Sequence, residues 1–118
     1  MIFGYARVST NFQARDGNSL EAQINFLKEA GSEKIFSDVF SGSKNHRPEL
    51  DRLLKIIQSG DTLIITKLDR IARSVMNGIQ LIESLNGKGV IINVLNMGLI
   101  DGSPTGKLIR NIMDKFGN

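Results

Sequence analysis

Short apolar runs alternate with helical patterns along the whole chain, and this alternation restricts the fold more than any other feature. Leu63-Ile64-Ile65 is typical of the apolar runs, which are too short and too β-branched to be helices. Between such runs, apolar residues recur at spacings of three and four, as Leu20, Ile24 and Leu27 do. The alternation predicts successive βα units, and therefore a compact α/β fold with a largely parallel sheet of roughly four to five strands and helices on both faces.

The predicted elements follow one another without an internal repeat or a linker. Asn18, followed by Glu21, predicts a capped start for the first helix, and Gly31 predicts its end. Strands are predicted within 2–10, 34–38, 61–67 and 90–95, helices within 18–30, 48–60, 75–87 and 105–116, and a loop over 96–104.

Composition limits what this fold could do. A chain of 118 residues has room for one domain, and without cysteine it forms neither disulfides nor a thiolate metal site. Apolar runs stay well short of the ~20 residues of a membrane helix, and the N-terminus lacks a signal-peptide pattern, so we expect a cytoplasmic protein without membrane contact. The formal net charge of +3 and the pI near 9.5 permit a nucleic-acid partner without demonstrating one.

The ends of the first and third predicted strands carry the residues with the most chemistry. Ser9 closes the first strand, on the same face as Tyr5 and Arg7, and the segment 67–73 follows the third strand. In parallel sheets, ligands bind beyond the carboxyl ends of the strands, so these two segments are expected to meet there. Four residues are singled out beside Ser9, namely Arg7, Asp69, Arg70 and Arg73.

These residue types together favour phosphoryl transfer. Guanidinium groups match phosphate oxygens, a serine hydroxyl can act as a nucleophile, and a carboxylate can move protons. The pattern therefore predicts a metal-free reaction through a covalent phosphoserine. Taken singly, each residue also has a structural reading: Ser9 as a helix or turn cap, and Arg7 as an edge-strand charge. Arg70 and Arg73 would lie on a solvated helix face paired with Asp69.

Three motifs, in order, resemble the catalytic domain of the serine site-specific recombinases, the resolvase/invertase family. They are Tyr5-Ala6-Arg7-Val8-Ser9-Thr10, Ser41-Gly42-Ser43 with Arg47-Pro48-Glu49-Leu50, and Lys67-Leu68-Asp69-Arg70-Ile71-Ala72-Arg73. The similarity extends over essentially the whole chain. The combination of three motifs makes it specific.

The resemblance implies a role for each matching residue. Ser9 would attack a DNA phosphodiester, leaving a 5′-phosphoserine link and a free 3′ hydroxyl, and Asp69 would be the acid that works beside it. The family's phosphate-binding arginines would be Arg7, Arg47, Arg70 and Arg73, and its supporting residues Tyr5, Gln13 and Gln23. No cofactor or metal is implied. The implied partners are double-stranded DNA and a second copy of the chain, with a tetramer forming on paired sites in the full-length protein.

The resemblance also sets an expectation for domain organisation. Residues 1–118 correspond to the catalytic domain and end within the expected dimerisation helix, without a DNA-recognition domain. Two readings stay open: a piece of a longer recombinase, or a naturally truncated, non-catalytic interaction module that modulates a full-length recombinase.

Overall fold

A computed structural model describes residues 1–9, 19–40, 47–71, 74–96 and 98–100. The predicted final helix, at 105–116, lies outside these ranges. The strands are β1 (Ile2–Ser9), β2 (Lys34–Phe40), β3 (Thr62–Ile65), β4 (Ile91–Val94) and β5 (Gly98–Ile100), and the α-helices are α1 (Leu20–Glu29), α2 (Pro48–Ile56) and α3 (Val75–Gly87). A short 3-10 helix, Leu68–Arg70, follows β3.

The strands form one sheet in the order β2-β1-β3-β4-β5. Neighbouring pairs among the first four strands are parallel, and β5 runs antiparallel to β4, with Ile92 opposite Ile100. The prediction of a largely parallel α/β sheet is therefore confirmed. The loop predicted over 96–104 is wrong at β5, because a strand this short contains too few residues to show an alternating pattern.

The two faces of the sheet are covered by different helices. Side chains of α2 and α3 pack on one face, where Tyr5, Leu53, Leu63 and Ile82 are fully buried. On the other face, Leu27 of α1 packs with Ala6 and Ile64. Consecutive residues of β1 point to opposite faces, so Tyr5 and Ala6 belong to different cores. The expectation of helices on both faces is confirmed.

Helix boundaries differ from the predictions by a few residues. Ser19 is the N-cap of α1, and its hydroxyl accepts a hydrogen bond from the Ala22 amide at 3.1 Å, so the predicted cap at Asn18 is wrong. Ser19 directly precedes the first apolar helical residue and has the same short oxygen-bearing side chain that caps require. Gly31 follows α1 with a φ of 103°, so the predicted end of this helix is confirmed, and Gly89 follows α3 in the same way with a φ of 88°.

None of the helices in the described ranges is both long and apolar enough to cross a membrane.

Candidate functional site

The carboxyl ends of β1, β2 and β3 meet at one edge of the sheet, and this edge is the candidate site. Arg7 of β1 stands opposite Asp38 of β2 in the parallel register. β3 pairs with β1 only as far as Tyr5, and β1 continues beyond it to Ser9. The 3-10 helix that follows β3 contacts β1. The two segments predicted to meet are therefore neighbours in the structure.

Arg7 is held at this edge by Gln23 of α1. The Arg7 amide donates to Gln23 Oε1 at 3.1 Å, and Gln23 Nε2 donates to the Arg7 carbonyl at 3.1 Å. One side-chain amide thus pairs with both backbone groups of Arg7, just past the point where β3 stops pairing with β1. Both residues are buried, which fixes the position of Arg7 tightly.

Asp38 of β2 forms hydrogen bonds to both β1 and α2. It was not among the site residues predicted from the sequence. Its carboxylate accepts from the Tyr5 hydroxyl at 2.7 Å and from the amides of Glu49 and Leu50 at 3.0 and 3.1 Å. It is 5% exposed. A signal was present, because an acid within the apolar run 34–40 is costly to bury unless something meets it.

Tyr5 lies beneath the site with its side chain fully buried. Burial raises the pKa of its phenol well above the usual value of 10.0, and the hydrogen bond to Asp38 raises it further. The phenol therefore stays protonated at physiological pH and acts as a hydrogen-bond donor. This geometry makes Tyr5 a support for Asp38 rather than a proton acceptor.

Arg47 links α2 to the segment that follows the 3-10 helix. It is the N-cap residue of α2, and its guanidinium Nη1 donates to the carbonyl of Ile71. Arg70 lies just before that carbonyl in the chain, with its side chain 16% exposed. The structure therefore brings the beginning of α2 against the end of the 3-10 helix, two segments far apart in sequence.

Asp69 forms an ion pair with its neighbour Arg70, with Oδ1 and Nη1 3.2 Å apart. The Asp69 side chain is 54% exposed, so solvent reaches the carboxylate while the arginine is largely covered. The pairing with Asp69 agrees with the structural reading of Arg70, but the solvated face in that reading does not, because the Arg70 side chain is only 16% exposed. Partial exposure also leaves Asp69 accessible to a bound molecule.

Positive charge exceeds negative charge among the described side chains at this edge. Arg7, Arg47 and Arg70 contribute three positive charges, against Asp38 and Asp69, and the charge of Glu49 at the start of α2 is balanced by its ion pair with Arg52. The carboxylate of Asp38 is already engaged by Tyr5 and two helix amides. Several guanidinium groups on different elements are suited to bind an anion that accepts several hydrogen bonds, such as phosphate.

Three of the predicted site residues are described in part or not at all. The backbone of Ser9 ends β1, opposite Phe40, but its side chain lies outside what the structure describes. Gln13 and Arg73 fall outside the described ranges. Their roles stay predictions.

The fold and the site define a class of protein, a small α/β domain with arginines gathered at the carboxyl edge of a parallel sheet. The chain belongs to the resolvase family, since the family model described as "Resolvase, N terminal domain" matches residues 2–118.

Named relatives agree with this membership. The chain is 41% identical over 118 residues to the Transposon Tn552 DNA-invertase BinR of Staphylococcus aureus, covering 98% of this chain and 59% of that protein. It is 42% identical over 113 residues to the serine recombinase gin of Escherichia phage Mu, covering 96% of this chain and 55% of that protein. The chain thus spans less than two thirds of the length of these relatives.

Solved structures share the fold. The crystal structure of the N-terminal catalytic domain of TP901-1 integrase superposes with a TM-score of 0.71 at 24% identity, covering 97% of this chain and 92% of that one. A resolvase family site-specific recombinase from Streptococcus pneumoniae superposes with a TM-score of 0.71 at 25% identity, covering 97% and 83%.

Proposed function

We propose that this chain is the catalytic domain of a site-specific DNA recombinase, in which Ser9 cleaves and rejoins DNA strands. The observation that supports the proposal is the contact among the segments that carry Arg7, Arg47 and Arg70: the 3-10 helix contacts β1, and Arg47 donates to the Ile71 carbonyl just after Arg70. Membership of a family whose named relatives are resolvases, DNA-invertases and serine recombinases supports the same conclusion.

The proposed reaction conserves the energy of the phosphodiester. The Ser9 hydroxyl oxygen forms a bond to phosphorus while the bond from phosphorus to the 3′ oxygen breaks. The serine loses its proton and the departing 3′ oxygen gains one, leaving a 5′-phosphoserine and a 3′ hydroxyl. Attack by a 3′ hydroxyl on the phosphoserine reverses these steps, so strands can be exchanged without ATP.

The residues around Ser9 have different chemical roles in the proposed reaction. Arg7, Arg47, Arg70 and Arg73 neutralise the charge that develops on the phosphoryl oxygens, and their forked donors orient the phosphate. Asp69, half exposed at the rim, is suited to move protons at the entering or leaving oxygen. Because guanidinium groups provide this positive charge, the proposed chemistry has no step that requires a divalent cation.

The substrate, the oligomeric state and the cellular location are inferred from the resemblance to the resolvase/invertase family. The substrate is double-stranded DNA, bound by a homodimer that pairs into a tetramer on two sites, in the cytoplasm. Tyr5, Gln13 and Gln23 support the site without forming bonds to the phosphate.

The decisive experiment traps the covalent intermediate. The complete gene product that contains this chain is incubated with its DNA site, carrying a mismatched crossover sequence that stalls religation. Wild-type protein is expected to accumulate a covalent protein–DNA adduct, and Ser9→Ala to form none. Ser84→Ala, which removes an exposed serine on α3, is the matched control and should form the adduct fully. Adduct formation by Ser9→Ala would overturn the assignment of the nucleophile.

A further inference from the structure

Large apolar side chains of β4 and β5 are exposed on the face of the sheet that carries α1. Consecutive residues of a strand point to opposite faces, and Ile92 and Ile100 are buried on the face that α2 and α3 cover. Ile91 and Leu99 therefore point to the α1 face, where they are 37% and 65% exposed. Leu99 stands opposite Asn93, two residues from Ile91, so the two apolar side chains are diagonal neighbours roughly 7 to 8 Å apart.

On this face, α1 covers the other half of the sheet. It contacts β1 and β2, and its buried residue Leu27 packs with Ala6 of β1 and Ile64 of β3. β4 and β5 lie beyond β3 in the sheet order. The exposed fractions of Ile91 and Leu99 follow from this arrangement, because α1 lies over strands at the opposite side of the sheet.

The exposed half of the sheet forms the floor of a groove, and α1 forms its wall. Gln23 bonds to the backbone of Arg7 in the place that β3 would take, which identifies the side of α1 that faces β3 and β4. Phe26 follows Gln23 by three positions, so it lies on the same side of the helix, and it is 49% exposed. The α1–β5 groove is thus lined by Phe26, Ile91 and Leu99. Apolar residues gathered in this way indicate a surface that another segment covers.

The chain continues from this groove with an apolar segment of matching length. β5 ends at Ile100, and residues 101–118 follow it. The helix predicted at 105–116, about 18 Å long at 1.5 Å per residue, carries its apolar residues on one face, namely Leu108, Ile109, Ile112, Met113 and Phe116. A connection over 101–104 keeps this segment near β5 at an effective concentration on the order of millimolar, well above that of a second chain in dilute solution.

We propose that residues 105–116 pack as a helix in the α1–β5 groove of their own chain, with the apolar face against Phe26, Ile91 and Leu99. Both surfaces are apolar, so each is stabilised by losing contact with water. The α1 face of the sheet then carries two helices, as the face with α2 and α3 does. The inference goes beyond the proposed function, because it involves neither Ser9 nor DNA.

Crosslinking of introduced thiols tests the occupant of the groove directly, because the chain contains no cysteine. Leu99→Cys is combined with Ile112→Cys in the 118-residue chain and treated with a short bifunctional thiol reagent. We expect a crosslink within one chain, which runs as a monomer on a denaturing gel and is located by mass spectrometry of the linked peptides.

Val39→Cys with Ile112→Cys is the matched control for crosslinking. Val39 is 50% exposed on the same face, but β2 and β5 are the two edges of the sheet, about 19 Å apart at 4.8 Å per strand spacing. This pair should crosslink at least about tenfold less. Crosslinked dimers would assign the groove to a second copy, and equal crosslinking of both pairs would show that the segment has no fixed position. Either result would overturn the proposal.

Hydrogen exchange provides a second measurement, in which strand-compatible substitutions replace the cysteines. Leu99→Thr removes apolar surface from the groove, and Val39→Thr makes a similar change at the other edge. Amides of 108–116 should be protected at least about tenfold in wild type and in Val39→Thr, and roughly 3- to 10-fold less in Leu99→Thr. The protection should stay constant over a roughly hundredfold range of protein concentration. Protection that rises with concentration, or that Leu99→Thr leaves intact, would contradict packing within one chain.

Discussion

At the scale of single residues, buried polarity marks the site. Among the described side chains, the buried charged and amide groups are Arg7, Gln23 and Asp38, and all of them lie at the carboxyl edge of the sheet. Burying such groups is costly unless each is hydrogen-bonded, so their concentration in one place indicates a purpose beyond packing. Tyr5 joins this group through its bond to Asp38.

Because of Tyr5, the free energy of unfolding of the domain is expected to decrease at alkaline pH. Its folded-state pKa is raised, mainly by burial, so the unfolded chain loses the phenolic proton first as the pH passes about 10. The contribution of Tyr5 to the free energy of unfolding is therefore complete below pH 10 and falls as the pH rises further. Urea unfolding across this range should show the fall, and Tyr5→Phe should lack this part of it.

The same residue provides a direct optical check. With one tyrosine and no tryptophan in the chain, tyrosinate absorbance reports Tyr5 alone. The absorbance should appear only when alkali unfolds the protein. A tyrosinate signal near pH 10 in protein that is still folded would contradict the burial of the phenol and its bond to Asp38.

At the scale of elements, unequal strand lengths create the site. β1 is longer than β3, and beyond Tyr5 the side chain of Gln23 takes the place of β3 as a partner of the Arg7 backbone, while β1 and β2 stay paired as far as Ser9. Gln23 thereby lets β1 extend past its neighbour without leaving buried backbone groups unsatisfied. The 3-10 helix, which carries Asp69 and Arg70, contacts β1.

Replacing Gln23 by alanine should destabilise the domain through the backbone of Arg7. Two buried hydrogen bonds are lost, which predicts a decrease of about 2 to 4 kcal/mol in the free energy of unfolding. Asn25→Ala, at an exposed position of the same helix, is the control and should change stability by about 0.5 kcal/mol or less. Urea unfolding followed by circular dichroism measures both, and equal effects would argue against the Arg7 clamp.

At the scale of the whole molecule, the modest net charge of these 118 residues predicts a weak affinity for DNA. The formal net charge is only +3, and the chain spans 59% of one named relative and 55% of another. In the proposed function, the arginines at the sheet edge bind one phosphate, which leaves few positive charges for the rest of a duplex. Affinity for DNA is therefore expected to be weak in the isolated chain.

We predict that the isolated chain binds duplex DNA with a Kd of roughly 10⁻⁴ to 10⁻⁶ M at physiological salt, without sequence preference. Affinity should fall as salt rises, because binding releases counterions from the phosphates. Fluorescence anisotropy with labelled duplexes of different sequence measures this. Tight, sequence-specific binding would contradict the prediction, and inhibition of a full-length recombinase without any adduct would favour the interaction module.

Much of the fold was predictable because its signals are local. Apolar spacing identified α1, α2 and α3, glycines marked two helix ends, and short β-branched runs identified four strands of the sheet. The gathering of Arg7 and the 67–71 segment at one edge also followed, since parallel strands end on the same side. β5 and the cap at Ser19 were not predicted, because each depends on one or two residues rather than on a repeating pattern.

The sequence by itself determined the α/β architecture, the strand ends that meet and the residue types available for phosphate chemistry. Only the tertiary structure decided how those residues are held. The partners of Asp38 lie 33, 11 and 12 positions away along the chain, and Gln23 lies 16 positions from Arg7. Bonds across such separations leave no periodic trace, because they form only when packing of the strands and helices brings the groups together.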